Sequence, residues 1–95
     1  MTKERSLTQE LAWQASHDPL TGLVNRHEFE RRLAILADAA RTGGERHILL
    51  YVDLDQFKLV NDTCGHVAGD QLLCQLAVLL SGRIRSMDTL ARLGG

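Results

Sequence analysis

Residues 47–54, His-Ile-Leu-Leu-Tyr-Val-Asp-Leu, form a run of strand length that is apolar at both odd and even positions. A strand of this kind has two apolar faces, so it needs cover on both sides and belongs in the middle of a sheet with helices packed on it. The flanking segments supply those helices. From Ser6 to Ser16, Leu7, Leu11, Ala12 and Ala15 recur at spacings of three and four, with Trp13 beside the stripe. Pro19, Thr21 and Gly22 make His17–Leu23 an ordered turn. Asn25 is then a good N-cap with Glu28 three residues on, and Phe29, Leu33, Leu36 and Ala40 keep helical spacing until Gly43-Gly44. After Asp55 comes a short polar and aromatic stretch, a loop with Gly65 and Gly69, and a third helix from about Asp70 with Leu72, Leu73, Leu76, Leu79, Leu80 and Ile84 as its stripe. Thr89–Leu93 reads as a last short strand running into Gly94-Gly95, where a two-glycine hairpin turn is natural. The order helix, helix, strand, helix, strand predicts an α/β or α+β domain.

The 95 residues suffice for one domain, and 44% hydrophobic with 24% charged residues and a single Pro is a globular composition. Eleven basic against twelve acidic residues leave a formal charge of −1, so no overall field draws the chain to nucleic acid or an acidic membrane; any phosphate binding must be local. Aromatics at 4% argue against a stacking platform for single strands, and Trp13 and Tyr51 read as packing residues. Cys64 and Cys74 form no CxxC pair and read as small buried hydrophobes, which suits a reducing cytoplasm. No segment approaches the roughly 20 apolar residues of a membrane span, and the Met1 end lacks the apolar core of a signal peptide, so this piece is expected to be soluble. Its close at Leu93-Gly94-Gly95, without a polar tail, is expected of a portion of a longer chain.

Motifs for a P-loop, a dinucleotide fold, a zincin or a hydrolase elbow are absent. Asp53-Leu54-Asp55 begins like a calcium loop, but Lys58 stands where that loop needs Gly and Cys64 where it needs Glu. What remains is a concentrated polar cluster, Asp53, Asp55, Lys58, Asn61, Asp62, His66 and Asp70, starting at the end of the apolar run. A carboxylate at the end of a buried strand is costly unless a cation or donors satisfy it, so Asp53 reads either as a Mg²⁺ ligand or as a turn or N-cap carboxylate. Asp55 is placed to cap the following stretch, leaving the amides of Gln56, Phe57 and Lys58 as an anion site. Lys58 reads as a phosphate contact or as solvated surface. Asn61 and Asp70 offer an amide and a carboxylate, as the edge of guanine requires, and also suit loop and N-cap roles. His66 reads as a loop histidine bonded to backbone, since nothing nearby orients it as a base.

The strings Asp18-Pro19-Leu20-Thr21-Gly22-Leu23-Val24-Asn25-Arg26, Asp53-Leu54-Asp55-Gln56-Phe57-Lys58-Leu59-Val60-Asn61-Asp62, Gly65-His66-Val67-Ala68-Gly69-Asp70 and Ala91-Arg92-Leu93-Gly94-Gly95 together closely resemble the GGDEF family of diguanylate cyclases. The four motifs stand in the family's order across His17–Gly95. The resemblance implies a nucleotidyl-cyclase or polymerase-palm (ferredoxin-like) sheet with packed helices, here incomplete, with residues 1–16 as a connector helix and 17–95 as a partial GGDEF domain. It implies synthesis of cyclic di-GMP from two GTP by a homodimer with Mg²⁺ or Mn²⁺. Asp53 then corresponds to a metal ligand assisted by the Leu54 carbonyl, with Asp53 and Lys58 as the catalytic pair. Phe57 and Lys58 correspond to phosphate contacts, Asn61 and Asp70 to the guanine pair, and Gly94 and Gly95 to the signature glycines. Arg85 and Asp88 stand where the family carries its RxxD inhibitory site for cyclic di-GMP, and Asp88 also suits a cap on the turn into the last strand. No nucleic-acid partner is implied, and a membrane only through domains outside this chain. Because the signature's acidic residues are absent after Gly95, the chain alone is expected to bind GTP poorly and not to catalyse; a degenerate, regulatory GGDEF domain is the alternative.

Overall fold

The computed structural model describes residues 6–94. Four helices follow in order: α1 (Leu7–Ser16), α2 (Arg26–Gly43), α3 (Phe57–Cys64) and α4 (His66–Ser81). Ser6 caps the N-terminus of α1 with a reciprocal capping box: Gln9 N donates to Ser6 Oγ at 3.2 Å, and Ser6 N donates to Gln9 Oε1 at 2.9 Å. Asn25 Oδ1 accepts from Glu28 N at 2.9 Å, and Gly44 ends α2 in the left-handed region at φ 73°, so both predicted ends of that helix stand.

Glu28 does not complete a box at Asn25. Its carboxylate takes Arg31 Nε and Nη2 at 2.8 and 2.7 Å and Arg32 Nε at 2.7 Å, and Arg32 continues to Thr89 Oγ1 at 3.4 Å. The hydrogen bonds from Arg31 and then Arg32 hold the Glu28 carboxyl down to about 2, from an ordinary 4.5. A group depressed in the folded state stabilises it above its unfolded pKa and loses that contribution as pH falls. The urea midpoint of the chain is therefore expected to hold steady above about pH 4.5 and to fall toward pH 2. Glu28→Gln should flatten the decline in that window; an unaltered acid slope in urea melts would contradict it.

Six expectations need correction. His47–Leu54 is not a strand: it has no assigned secondary structure, and Ile48 and Leu50 are 90% and 79% exposed. A strand is held by a ladder of hydrogen bonds and by cover on its faces, and no second strand pairs with this segment among the described residues. Tyr51 is accordingly 73% exposed, which corrects its reading as a packing residue. The predicted sheet reduces to two isolated bridges, His17 antiparallel to Val24 and Val24 parallel to Ala91, so Thr89–Leu93 is a docked segment and not a strand. The third helix starts at His66, four residues before the expected point, because Gly65, at φ 89°, makes the break while Gly69 lies inside the helix. His66 is thus an exposed first-turn residue of α4, not a loop histidine. Cys64 is exposed, and Cys74 is half-buried with its Sγ donating to Leu20 O at 3.3 Å.

Packing is local. α1 lies against α2 and α3 against α4; Val24 and Ala77 are the buried hydrophobic residues among those described. The radius of gyration, 15.8 Å, exceeds the roughly 12 Å of a close-packed domain of this length, in keeping with uncovered apolar faces on α1, α4 and residues 48–52.

Candidate functional site

The polar cluster divides among three elements. Asp53 and Asp55 are exposed in the segment joining α2 to α3. The chain then turns through Gln56, which stands in the left-handed region at φ 59° and is the N-cap position of α3, without a side-chain cap. Asp55 is one residue too early to cap, which corrects that expectation. The Leu54 carbonyl instead accepts from Phe57 N at 3.4 Å. A non-glycine residue in this conformation costs about 1 kcal/mol. It swings Phe57, Lys58 and Asn61 onto a helix directly after the acidic pair.

On α3, Phe57 and Asn61 are four residues apart and share a face, both half-buried, while Lys58 is exposed. That face receives α4 at Gly69, which is buried. A Cβ added to Gly69 would overlap Asn61 Oδ1 and lie 2.9 Å from Asn61 Cγ and 3.4 Å from Phe57 Cζ. Asn61 Oδ1 is buried without a hydrogen-bond partner. A buried amide oxygen without a donor carries a desolvation cost of about 1–3 kcal/mol. Asp70 follows Gly69 directly and is exposed on α4; Asp62 and His66 are exposed as well. The structure therefore brings Phe57, Asn61 and Gly69 into one seat with Asp70 beside it, and leaves Asp53 and Asp55 outside it. Among the described residues no three His, Cys, Asp or Glu side chains gather as a metal-binding group.

A second assembly went unrecognised in the sequence. Asp18 Oδ2 accepts from Thr21 N at 2.9 Å and Thr21 Oγ1 at 2.8 Å, and Arg92 Nη1 reaches both Asp18 oxygens at 3.3 and 3.2 Å. Burial pushes the Asp18 carboxyl up, but the Thr21 bonds and Arg92 outweigh it and leave the group below its ordinary value. Val24 N donates to Leu90 O at 3.3 Å, Arg92 N to Val24 O at 2.9 Å, and Arg26 Nε to Leu93 O at 3.1 Å. The segment before the glycine pair is thereby tied to the turn and to the start of α2. Asp18 and Arg92 each lie in a noted motif, but 74 residues separate them, and no local signal pairs them.

The family model for "Diguanylate cyclase, GGDEF domain" matches residues 15–95. The chain belongs to the GGDEF-domain family.

Among its relatives, the protein named probable diguanylate cyclase DgcE of Escherichia coli K12 is 50% identical over all 95 residues, which cover 9% of DgcE. The protein named cyclic di-GMP phosphodiesterase PdeB of Shewanella oneidensis is 41% identical over the whole chain, which covers 11% of PdeB. The crystal structure of diguanylate cyclase SiaD from Pseudomonas aeruginosa, solved with its activator SiaC, superposes with a TM-score of 0.83 at 37% identity, over 94% of this chain and 34% of SiaD. The chain thus spans about a tenth of the length of these curated relatives.

Within this GGDEF chain, Arg85 and Asp88 form a closed turn: Arg85 N donates to Asp88 Oδ2 at 2.9 Å and Asp88 N to Arg85 O at 3.0 Å. Asp88 is thus a turn cap, while Arg85 is exposed. Gly94 is exposed with open space about its Cα, and Gly95 lies outside the described residues.

Proposed function

We propose that this chain is part of a diguanylate cyclase domain that joins two GTP into cyclic di-GMP. The observation that supports the reading is the α3–α4 seat: an unpartnered amide oxygen on Asn61, Phe57 and Lys58 at the start of the same helix, and Asp70 one residue beyond Gly69. An amide and a carboxylate present the donor and acceptors that the guanine edge demands. In this reading Asn61 and Asp70 hold the base, Phe57 and Lys58 meet the phosphates, and Gly94 and Gly95 leave room for them. Two copies, each holding one GTP, face each other. The 3′-oxygen of each nucleotide bonds to the α-phosphorus of the other, the α–β phosphoanhydride bond breaks, pyrophosphate leaves and the hydroxyl proton passes to solvent.

The Asp53 carboxylate and the Leu54 carbonyl are hard oxygen donors of the kind Mg²⁺ and Mn²⁺ take, with substrate phosphates filling other positions. When bound, such an ion neutralises phosphate charge and activates the attacking oxygen. Asp53 and Leu54 would hold it, and Lys58 would add a positive charge toward the phosphates.

Incubating the full-length protein that carries this chain with GTP and Mg²⁺, and separating the nucleotides by chromatography, tests the reading. Cyclic di-GMP with two pyrophosphates per product is the expected result. The 41% identity to a protein named as a phosphodiesterase favours a second reading, a regulatory GGDEF domain that binds GTP or cyclic di-GMP without turnover. Nucleotide binding without any cyclic product would select it.

Arg85 and Asp88 are assigned in this proposal to product inhibition, with Arg85 pairing to phosphate or guanine. Arg85→Ala is expected to raise the cyclic di-GMP concentration that halves the rate by about tenfold, the loss of roughly one charge-assisted bond. A dose–response curve that does not move removes the pair from the account.

A further inference from the structure

Asn25 spends every polar group it has at one junction. Its Oδ1 caps α2 through Glu28 N at 2.9 Å, its Nδ2 donates to Ala15 O at 3.0 Å, and its backbone N donates to Ser16 O at 3.0 Å. The last two bonds take carbonyls in the final turn of α1 that have no partner within the helix. The residues on either side of Asn25 do the opposite job. Val24 exchanges hydrogen bonds with Leu90 and Arg92, and Arg26 Nε holds Leu93 O. Three consecutive residues thus join the end of α1, the start of α2 and the segment leading into the glycine pair.

We infer that Asn25 is a positioning residue, the joint through which the orientation of α1 is passed to residues 90–93. A rotation of α1 pulls on Ala15 O and Ser16 O. Asn25 cannot follow without moving its own cap on α2 or the bonds of its neighbours Val24 and Arg26. Asn25 acts through those neighbours and touches no substrate. The functional consequence rests on the cyclase reading above, in which residues 91–95 belong to the nucleotide site; the mechanical claim does not.

Asn25→Asp separates the two roles. Aspartate caps a helix as well as asparagine does, so α2 keeps its cap, but it has no amide hydrogen to give Ala15. Amide hydrogen exchange on the 95-residue chain, read residue by residue by NMR, needs no turnover. The expected result is at least tenfold faster exchange at Arg92 N, whose acceptor is Val24 O, with Ala77 in the core of α4 unchanged. Unchanged exchange at Arg92 overturns the joint. Equal acceleration at Arg92 and Ala77 also overturns it, because Asn25 would then serve only general stability. In the full-length protein Asn25→Asp should lower kcat with the KM for GTP held. Absence of cyclase activity in the parent protein, with the exchange result intact, removes the cyclase reading and leaves the joint standing.

Discussion

Asp53→Ala in the full-length protein carrying this chain is expected to lower cyclic di-GMP formation by about a thousandfold or more. In the proposed mechanism Asp53 is the side chain that holds the divalent ion, whose charge stabilisation is worth several kcal/mol in the transition state, and each 1.4 kcal/mol is a factor of ten. The fold should not register the change. Asp53 is exposed and makes none of the hydrogen bonds or ion pairs found among the described residues, and surface substitutions of that kind stay within about 0.5 kcal/mol. A single-turnover assay together with a thermal melt reads both parts. Turnover within tenfold of the parent protein would remove Asp53 from the metal role. Loss of activity accompanied by loss of the melt would assign it to stability instead.

Gly69→Ala is expected to raise the KM for GTP at least about tenfold. The added methyl enters the space of Asn61 Oδ1 and crowds the Phe57 ring, so the Asn61 side chain has to turn out of its seat. Overpacking costs about 1–3 kcal/mol. Ala in place of Gly within a helix returns about 1 kcal/mol, so the net loss of stability is small while the proposed base-reading amide is misplaced. A KM equal to that of the parent protein would show that the position of Asn61 does not matter to GTP. A collapse of the melt by more than about 10 °C would show that the seat carries the fold and not the site.

The ends of α2 were legible because capping is local chemistry. Asn25 and Gly44 act on residues within one helical turn, and that distance is visible in a sequence, whereas the Ser6 box on α1 is a finding of the structure. α3 was not legible as a helix, because its start depends on Gln56 in a left-handed conformation that glutamine does not advertise. The apolar run at 47–54 shows the reverse failure. Its composition suits a strand, yet a strand also needs a partner, and none pairs with it among the described residues. Phe57, Lys58, Asn61 and Asp70 stand out in the sequence as polar or aromatic residues in one cluster, but Gly69 reads there only as a loop glycine, and the arrangement of the seat is not visible. Asn61 and Asp70 pair in the sequence by residue type alone, and the contact that relates them, Gly69 pressed against Asn61, lies between two helices.

The sequence by itself determined the family, the two caps of α2 and the residues that carry charge and amide groups, because these follow from residue type and short spacing. Only the tertiary structure decided that Asp18 pairs with Arg92, that Arg26 holds Leu93 and that Asn25 reaches Ala15. These bonds span 74, 67 and 10 residues. A hydrogen bond forms only where donor and acceptor meet within about 3 Å at the right angle, and for groups so far apart along the chain that meeting is set by how the helices pack.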